Sequence, residues 1–402
     1  MKKNNLKLNL TYNSNLVKKH YEDYPYPQYP LVSSIRKIDT YSLNVYSLWS
    51  YFNCKILRVR PNILLAGSGS FSPYPTAIAN NDAEKIWALD LSKKNLRRAR
   101  LHCFLHGIFL KVKYLEEDLL NFNYKKSFFH FIDCYGVIHH ISNDKKALKN
   151  IHDLLVDDGI ARIMVYSKGA RSKIESVRRA FKLLKINKLW MIKKLMAKAQ
   201  KKKINNNREY QFLELIENNY EANFDSGIAD MFLHPYAKTY SIEQLITLID
   251  ECSLVTLRFT HNGAITDTTN EIERLKILQK EKKLFTNFIL FVGKKKIDKI
   301  DKINKIDEKE YKSKLETYIS LNPIIKKYLK FWSPFPQTIA NKFFTNKFAY
   351  NLNLNYQQKK LLAHFKIAKK RNELELDKSC EEYEKISTFL DSLMLIEYTK
   401  DM

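Results

Sequence analysis

The sequence predicts an α/β fold built on a mostly parallel sheet, and three observations support this class. Short apolar runs alternate with helix-like segments between residues 62 and about 166. The first of these runs leads directly into a small, glycine-rich turn at residues 67–70, and several later runs end in acidic residues or histidines. Strands separated by helices pair in parallel through right-handed crossovers. We therefore expect the turn and the polar residues to lie along one edge of a single sheet.

Each element is predicted from its apolar spacing and from the breaks that flank it. Five strands are expected, at residues 63–66, 86–90, 112–115, 129–134 and 160–166, with helices at residues 75–80, 95–106 and 144–155. Farther along, a helix at residues 241–252 and strands at residues 254–260 and 285–292 would complete a seven-stranded sheet.

Composition shifts divide the chain into four regions. Residues 1–60 are expected to form an N-terminal extension, with a Tyr/Pro-rich strap at residues 21–30, where prolines exclude helix, and a helix at residues 41–54. Residues 61–293 form the α/β domain, and residues 167–240 within it are a helical insertion or lid that includes a basic stretch at 173–203. Residues 294–314, with a repeated Ile-Asp-Lys tripeptide, are expected to be a charged linker. Residues 315–402, with amphipathic patterns at 357–367 and 379–395, are expected to be a mainly helical or winged-helix-like module.

The chain is strongly basic, with 69 Lys and Arg against 43 Asp and Glu and a formal charge of +26 over 402 residues. Such a charge favours a polyanion or an anionic membrane as partner. A general drift of the composition toward Lys, Asn, Ile and Tyr, with only 9 glycines, would give the same charge, so both interpretations stay open.

The five cysteines lack C-x-x-C spacing, which argues against a disulfide framework or a zinc site. No signal peptide or membrane-spanning run is apparent, and a cytoplasmic location is expected.

The chemistry predicted for this sheet edge depends on the spacing of a few residues. Glycines 67 and 69 would let the backbone approach a ligand closely, although small turns after strands are common. Asp90 ends the second strand 23 residues after Gly67, close to the offset of about 20 at which a carboxylate accepts ribose hydroxyls. Its alternative role is a helix N-cap, for which Ser92 competes. Asp118 follows the third strand and could accept from an adenine amino group, or could be a solvated loop acid.

Two adjacent histidines, His139 and His140, follow the fourth strand. Neighbouring residues point in different directions, so at most one of them is expected to face a ligand. Each could act as a base or as a structural hydrogen-bonding group. A metal pair is disfavoured because no third ligand accompanies them at a suitable spacing.

Residues 62 to about 170 resemble the class I S-adenosylmethionine-dependent methyltransferases. The matching motifs are residues 66–70, 88–92, 117–119, 136–140 and 154–159. The resemblance implies a Rossmann-like seven-stranded sheet and S-adenosylmethionine as cofactor. It places the loop near the amino acid portion of the cofactor, Asp90 at the ribose and Asp118 at the adenine. The cofactor-binding residues are accordingly expected to be Ala66, Gly67, Ser68, Gly69, Asp90, Leu91, Asp118, Leu119 and Gly136.

The chain departs from the family pattern at two places. Phe71 replaces the usual third glycine of the loop, and Asp157 and Asp158 replace a Pro-Gly pair before the fifth strand. We expect residues 71–75 to wall the pocket and the loop to close differently.

The flanking segments at residues 24–27, 166–171 and 230–235 resemble a bacterial methyltransferase group whose substrates are undefined, so no acceptor follows from them. If the acceptor is protonated, a base is needed, and His139, His140 and His234 are candidates. Tyr24, Tyr26 and Tyr166 could position the acceptor or form a lid, although a rigid strap would also explain the Tyr/Pro stretch.

The leading functional prediction is methyl transfer to a small-molecule or protein acceptor. One alternative is a nucleic-acid (RNA) methyltransferase, for which the basic stretch could contact phosphates; the sequence lacks an Asn/Asp-Pro-Pro-Tyr signature and a catalytic Cys motif, so this alternative is not favoured. A second alternative is a non-catalytic, S-adenosylmethionine-binding regulatory protein with residues 315–402 as its interaction module. The sequence does not predict the oligomeric state.

Overall fold

A seven-stranded sheet forms the centre of the molecule in the computed structural model, which describes residues 2–109, 111–203, 216–217, 220–294, 318–330, 369–370 and 396–399. Its strands are β1 (Asn62–Ala66), β2 (Lys85–Asp90), β3 (Val112–Glu116), β4 (Phe129–Tyr135), β5 (Leu155–Val165), β6 (Leu254–Phe259) and β7 (Phe288–Lys294). Their order is β3-β2-β1-β4-β5-β7-β6. Neighbours from β3 to β5 pair in parallel, and β7 runs antiparallel to both β5 and β6. The predicted Rossmann-like, seven-stranded sheet is confirmed.

Helices cover the sheet and extend beyond it. They are α1 (Lys2–Asp23), α2 (Val45–Asn53), α3 (Pro73–Ala79), α4 (Lys93–Leu105), α5 (Asp144–Leu154), α6 (Lys168–Leu183), α7 (Leu189–Lys203), α8 (Asp225–Leu233), α9 (Ile242–Asp250) and α10 (Thr268–Lys280). Several begin at a side chain that accepts a hydrogen bond from a backbone N–H three residues later, which stabilises the first turn. Ser92 caps α4, Ser167 caps α6, and Ser241 forms a capping box with Gln244 at the start of α9.

The inner strands of the sheet are apolar on both sides because both faces are covered. Ile63, Leu64 and Leu65 of β1 are at most 1% exposed, and Phe129 and Phe131 of β4 are fully buried. Parallel strands that are buried on both faces are expected to be continuous apolar runs. This explains why these strands could be predicted from apolar runs in the sequence. Because the strands from β3 to β5 pair in parallel, their carboxyl ends lie along one edge of the sheet.

Two regions differ from the sequence-based expectations. The N-terminal 22-residue helix α1 was not predicted, while part of the expected helix at 41–54 forms as α2, after a 3₁₀ helix at Lys37–Leu43. The basic stretch at 173–203 was expected to be one long helical segment. It forms two helices, because the chain turns between α6 and α7, with Lys185 at a φ of +55°.

The C-terminal prediction can be compared with the structure only in part. The linker beyond Lys294 and the amphipathic segments at 357–367 and 379–395 lie outside the described residues. A small antiparallel sheet consists of β8 (Tyr318–Leu321), β9 (Lys369–Lys370) and β10 (Ile396–Thr399). Helix α11 (Pro323–Lys330) follows β8 in the chain. Strand β10 contacts α2, and buried Asn322 donates hydrogen bonds to the Tyr41 carbonyl at 3.0 Å and the Ser47 hydroxyl at 2.9 Å.

Candidate functional site

A cavity of about 520 Å³ opens at the carboxyl edge of the sheet. Its volume lies within the range of about 300 to 1,000 Å³ that is usual for small-molecule sites. Predicted site residues in its wall are Gly67, Ser68, Gly69, Asp90, Leu91, Asp118, Leu119, Gly136, Tyr26, His140 and Tyr166. The other predicted residues, Ala66, Tyr24, His139 and His234, are not part of the wall. The ends of β2 and β4 and the segments that follow β1, β3 and β4 are thus brought together, as the parallel topology requires.

The glycine loop is held tightly between the sheet and the N-terminal segment. Gly67 has a φ of +76°, and a Cβ atom built on it would lie 2.3 Å from Val137 Cγ2. Gly69 has a φ of +57°, and its Cβ would lie 2.8 Å from the Tyr26 carbonyl oxygen. Both positions need glycine, for its left-handed backbone and for space. The loop can therefore present its backbone to a ligand at a distance that a side chain would prevent.

Phe71, which stands where a third glycine was expected, packs inward. It is 6% exposed, lies in the cavity wall and makes an edge contact with Tyr29 at a centroid distance of 5.0 Å. Ser72 and Pro75 also line the cavity. A packed aromatic ring takes the place of the glycine turn here.

Asp90 anchors the glycine loop to the end of β2. Its Oδ2 accepts from Gly69 N–H at 2.7 Å, and its Oδ1 accepts from Ser92 N–H at 2.8 Å. Burial raises the pKa of this carboxyl to about 6, although both N–H groups act in the opposite direction. Ser92, not Asp90, caps α4, because its hydroxyl accepts from Asn95 N–H at 3.1 Å. The Asn95 side-chain amide also donates to Oδ1, at 3.3 Å. A carboxylate has about four lone-pair positions, so Asp90 keeps one for a hydroxyl group in the cavity and gains a second when the long bond from Asn95 is released.

Asp118 lies in the cavity wall just beyond the end of β3. It accepts from the Ser14 hydroxyl at 2.7 Å and from Leu120 N–H at 2.9 Å. Helix α1 therefore contacts the cavity wall at Asp118. The ion pair between Lys18 and Glu116, at 2.6 Å, also joins α1 to the end of β3.

The remaining wall combines tyrosines with two carboxyl groups. Asp230 on α8 accepts from the Tyr21 hydroxyl at 3.0 Å and from the Tyr166 hydroxyl at 3.3 Å. Glu221 accepts from the hydroxyls of Tyr26 and Tyr29. Burial raises the pKa of Glu221 and of the tyrosine hydroxyls of Tyr21, Tyr26 and Tyr166. This acidic and aromatic part of the wall is suited to a ligand that carries hydrogen-bond donors or positive charge.

The adjacent histidines have different environments. The short 3₁₀ helix Ile138–His140 turns His140 toward the cavity, whereas His139 is fully buried against the Tyr166 ring at a centroid distance of 3.7 Å. His140 Nδ1 donates to the Tyr236 carbonyl at 2.9 Å, which leaves Nε2 as an acceptor. Burial lowers the pKa of His140 to about 4 and that of His139 well below its usual value. Both rings are neutral at pH 7.

His234 belongs to a buried group with His20 and Asp230, whose ligand atoms lie within 4.8 Å of one another. This spacing is compatible with a metal ion. However, His234 Nδ1 accepts from Tyr236 N–H at 3.2 Å, and burial lowers the pKa of the ring well below its usual value. The proton of the neutral ring is then on Nε2, so the ring has no lone pair left for a metal. We assign this group no metal.

Sequence reasoning missed many residues of the wall. Polar ones among them include Ser14, Tyr21, Arg162, Glu221 and Asp230. Arg162 pairs with Asp133 through two hydrogen bonds of 2.9 and 2.7 Å beneath the cavity. A signal existed for two of them: Tyr21 starts the Tyr/Pro stretch, and Asp230 starts the motif that ends at Pro235.

Comparison with known proteins identifies the type of domain to which the chain is similar. Residues 64–163 match the family model described as a methyltransferase domain. An uncharacterized protein of Synechococcus sp. is 24% identical over 243 residues, which span 60% of this chain and 58% of the cyanobacterial one. The chain thus matches less than two thirds of the length of this relative.

Solved structures show the same fold. The structure of PKMT2 from Rickettsia typhi aligns with a TM-score of 0.55 at 15% identity, covering 92% of this chain and 77% of PKMT2. The structure of PKMT2 in complex with AdoHcy aligns with a TM-score of 0.53 at 13% identity, with the same coverage. At these identities the likeness concerns the fold.

Proposed function

We propose that the chain transfers the methyl group of S-adenosylmethionine to a small-molecule or protein acceptor in the cavity described above, because residues 64–163 match a methyltransferase domain. The observation that carries the proposal is the joining of two different walls in one cavity. Asp90 and Asp118 lie at successive strand ends of the domain, and Glu221 and Asp230 come from the insertion. One wall suits the cofactor and the other suits an acceptor.

The residues of the domain fit the cofactor. Gly67 and Gly69 leave space where a Cβ would collide with Val137 or Tyr26. Asp90 can accept from two ribose hydroxyls while it keeps its bonds to Gly69 and Ser92, provided that the 3.3 Å bond from Asn95 is released. When bound, S-adenosylmethionine supplies a methyl group on a positively charged sulfur.

The acceptor wall would bind and orient the nucleophile. Two carboxyl groups surrounded by tyrosines favour an acceptor that brings donors or positive charge, such as an amine. Methyl transfer is an in-line displacement, so orientation and exclusion of water account for much of the rate. Helices α1 and α8 would exclude water, because Tyr21 of α1 and Tyr166 after β5 both donate to Asp230 of α8.

His140 is the histidine best placed to take a proton from the acceptor. It faces the cavity, and its Nε2 lone pair is free of the bond to Tyr236. With a pKa of about 4 it is a weak base, so we expect it mainly to accept a hydrogen bond and to orient the acceptor. His139 and His234 would support it by packing, since the His140 and His234 rings lie 3.7 Å apart.

The experiment is transfer of a tritiated methyl group to fractionated lysate of the source cells, because it shows which class of molecule takes the label. We expect label in a small-molecule or protein fraction. Asp90→Ala, which removes the ribose acceptor, is the matched inactive control. Label in RNA alone, or none despite cofactor binding, contradicts the proposal and favours the nucleic-acid or the non-catalytic alternative.

The acceptor wall is tested by Asp230→Asn, which keeps the size of the side chain and removes its charge. We expect kcat/KM for the labelled acceptor to fall at least tenfold, while the Kd of S-adenosylmethionine stays within about threefold, because charge-assisted hydrogen bonds are about twice as strong as neutral ones. A large loss of cofactor affinity with unchanged transfer at saturation would contradict the assignment of the two walls.

We also propose a cytoplasmic location, which the free thiols of Cys103 and Cys134 support. Within the described ranges, no helix combines the length and the apolar character needed to cross a bilayer.

A further inference from the structure

The turn between α6 and α7 exposes apolar side chains that the fold does not use. Leu183 is 84% exposed, Leu184 68% and Trp190 63%. The inner side of the same two helices is packed in the ordinary way, with Phe181 and Ile192 buried against Met231 and Phe232 of α8. The exposed apolar residues therefore do not belong to the hydrophobic core that packs the inner side of these helices. We call Leu183, Leu184 and Trp190 together the tip.

Lysines surround the tip. Lys182, Lys185, Lys188, Lys193 and Lys194 are exposed. Among the described residues, Lys193 has an ion-pair partner, Asp225 at 2.5 Å, and the structure records none for the other four. Residues 176–203 contain eleven Lys and Arg and no Asp or Glu.

General compositional drift does not explain this segment. In the whole chain 69 basic residues accompany 43 acidic ones, so eleven would be accompanied by about seven acids. None occurs between Glu175 and Glu209. The positive charge is thus concentrated where the apolar side chains protrude.

From this combination we propose that the tip and its lysines dock on the surface of an anionic lipid bilayer. Leucines and a tryptophan flanked by lysines are the composition of segments that lie in a membrane interface, with apolar side chains among the acyl chains and cations at the headgroups. Nucleic acid would be held by the lysines, but two leucines gain nothing from phosphates, and stacking on bases uses aromatic rings, of which the tip has one. A second copy of the chain would bring like charges together.

The test is sedimentation of the full chain with phosphatidylcholine vesicles, either pure or with about 30% phosphatidylglycerol. We expect partitioning onto the anionic vesicles at least tenfold above that onto the neutral ones, and a decrease as salt rises. The triple variant Leu183→Ser, Leu184→Ser, Trp190→Ser should lower it at least tenfold. Phe285→Ser is the matched control, since this residue is 72% exposed elsewhere and should leave partitioning unchanged.

The charge is tested separately with Lys182→Glu, Lys185→Glu. Each lysine near an anionic surface increases partitioning onto vesicles by a factor of roughly five. Loss of two lysines should therefore decrease partitioning roughly 25-fold, and reversal of their charge should decrease it further. The control Lys280→Glu, Lys282→Glu changes the same charge at exposed positions, and Lys282, like Lys185, has a positive φ of +58°.

Cofactor affinity shows that the variants are folded, because none of these residues touches the cavity. Equal partitioning onto neutral and anionic vesicles, or unchanged partitioning of the tip variant, overturns the proposal. Tight binding of a fluorescent RNA that the tip variants lose, without vesicle binding, overturns it in favour of a nucleic-acid surface.

Discussion

Replacing Asp90 by alanine should abolish most of the affinity for S-adenosylmethionine. The carboxylate would accept two ribose hydroxyls in addition to its bonds to Gly69 N–H at 2.7 Å and Ser92 N–H at 2.8 Å. A hydrogen bond to a charged group is worth about 1.5 to 3 kcal/mol, so two at the lower end give about 3 kcal/mol, or roughly a hundredfold in Kd. The variant also frees Gly69 N–H, which should loosen the loop and add to this loss.

The same carboxyl predicts how cofactor affinity depends on pH. Because burial raises its pKa to about 6, the free protein holds it mostly ionised at pH 7.5 and mostly protonated at pH 5. Only the ionised form accepts both hydroxyls, so Kd should be flat above pH 7 and rise toward about tenfold per pH unit below 6. The stability of the ligand-free protein should depend on pH in the opposite direction from its cofactor affinity. Because the pKa of Asp90 is raised in the folded state, the protonated carboxyl favours folding at low pH, and this contribution to stability is lost as pH rises through 6.

Isothermal titration calorimetry at pH 5 and 7.5 measures the effect of Asp90→Ala on Kd and the effect of pH on Kd. Asp82→Ala is the control, because Asp82 is an exposed acid just before β2. We expect about tenfold weaker binding of the unmodified protein at pH 5 and little pH dependence in Asp90→Ala. The reasoning is refuted if Asp90→Ala binds within about threefold of the unmodified protein, or if the unmodified protein binds equally at both pH values.

Two further substitutions test the support of the site. Gly69→Ala should weaken cofactor binding more than tenfold in calorimetry, because its Cβ would lie 2.8 Å from the Tyr26 carbonyl; Gly107→Ala, at a φ of +75° with nothing within 4 Å of its Cβ, controls for backbone strain alone and should leave Kd unchanged. Asp133→Ala should lower stability by about 3 kcal/mol, because it leaves the buried Arg162 guanidinium without its bidentate partner at 2.9 and 2.7 Å. This corresponds to a fall in Tm of roughly 6 to 12 °C, and a Tm within about 2 °C of the unmodified protein's would contradict the assignment.

The sheet and the place of Asp90 and Asp118 in one cavity could be predicted because they depend on local pattern. Buried parallel strands are continuous apolar runs, and their carboxyl ends meet at one edge, so the positions of Asp90 and Asp118 follow from strand spacing alone. The competition between Asp90 and Ser92 for the N-cap could not be decided from sequence, since both side chains suit that role. The structure gives the cap to Ser92 and leaves Asp90 to the glycine loop.

The acceptor wall could not be predicted in the same way, because it depends on contacts between distant parts of the chain. Tyr21 and Asp230 are 209 residues apart, and Ser14 and Asp118 are 104 apart. Helix α1 gave little local signal, since polar and charged residues surround it on most sides. Its helical state and its place over the cavity are stabilised by tertiary contacts such as these.

The position of the acceptor wall also limits what relatives can reveal about the substrate. In our proposal residues 64–163 supply the cofactor wall, whereas the acceptor wall is formed mainly by residues outside this range, namely Tyr21, Tyr26, Tyr166, Glu221 and Asp230. Proteins that share the domain can therefore share the cofactor and differ in the acceptor. In this chain α1 and α8 close on each other through the Tyr21 to Asp230 hydrogen bond and the contact of His20 with His234 at 4.8 Å. We therefore propose that acceptor choice depends on two segments that meet across the cavity. A substitution of Tyr21 or Asp230 should change specificity without changing cofactor affinity, whereas Ser14 of α1 bonds to Asp118 and belongs to the cofactor side.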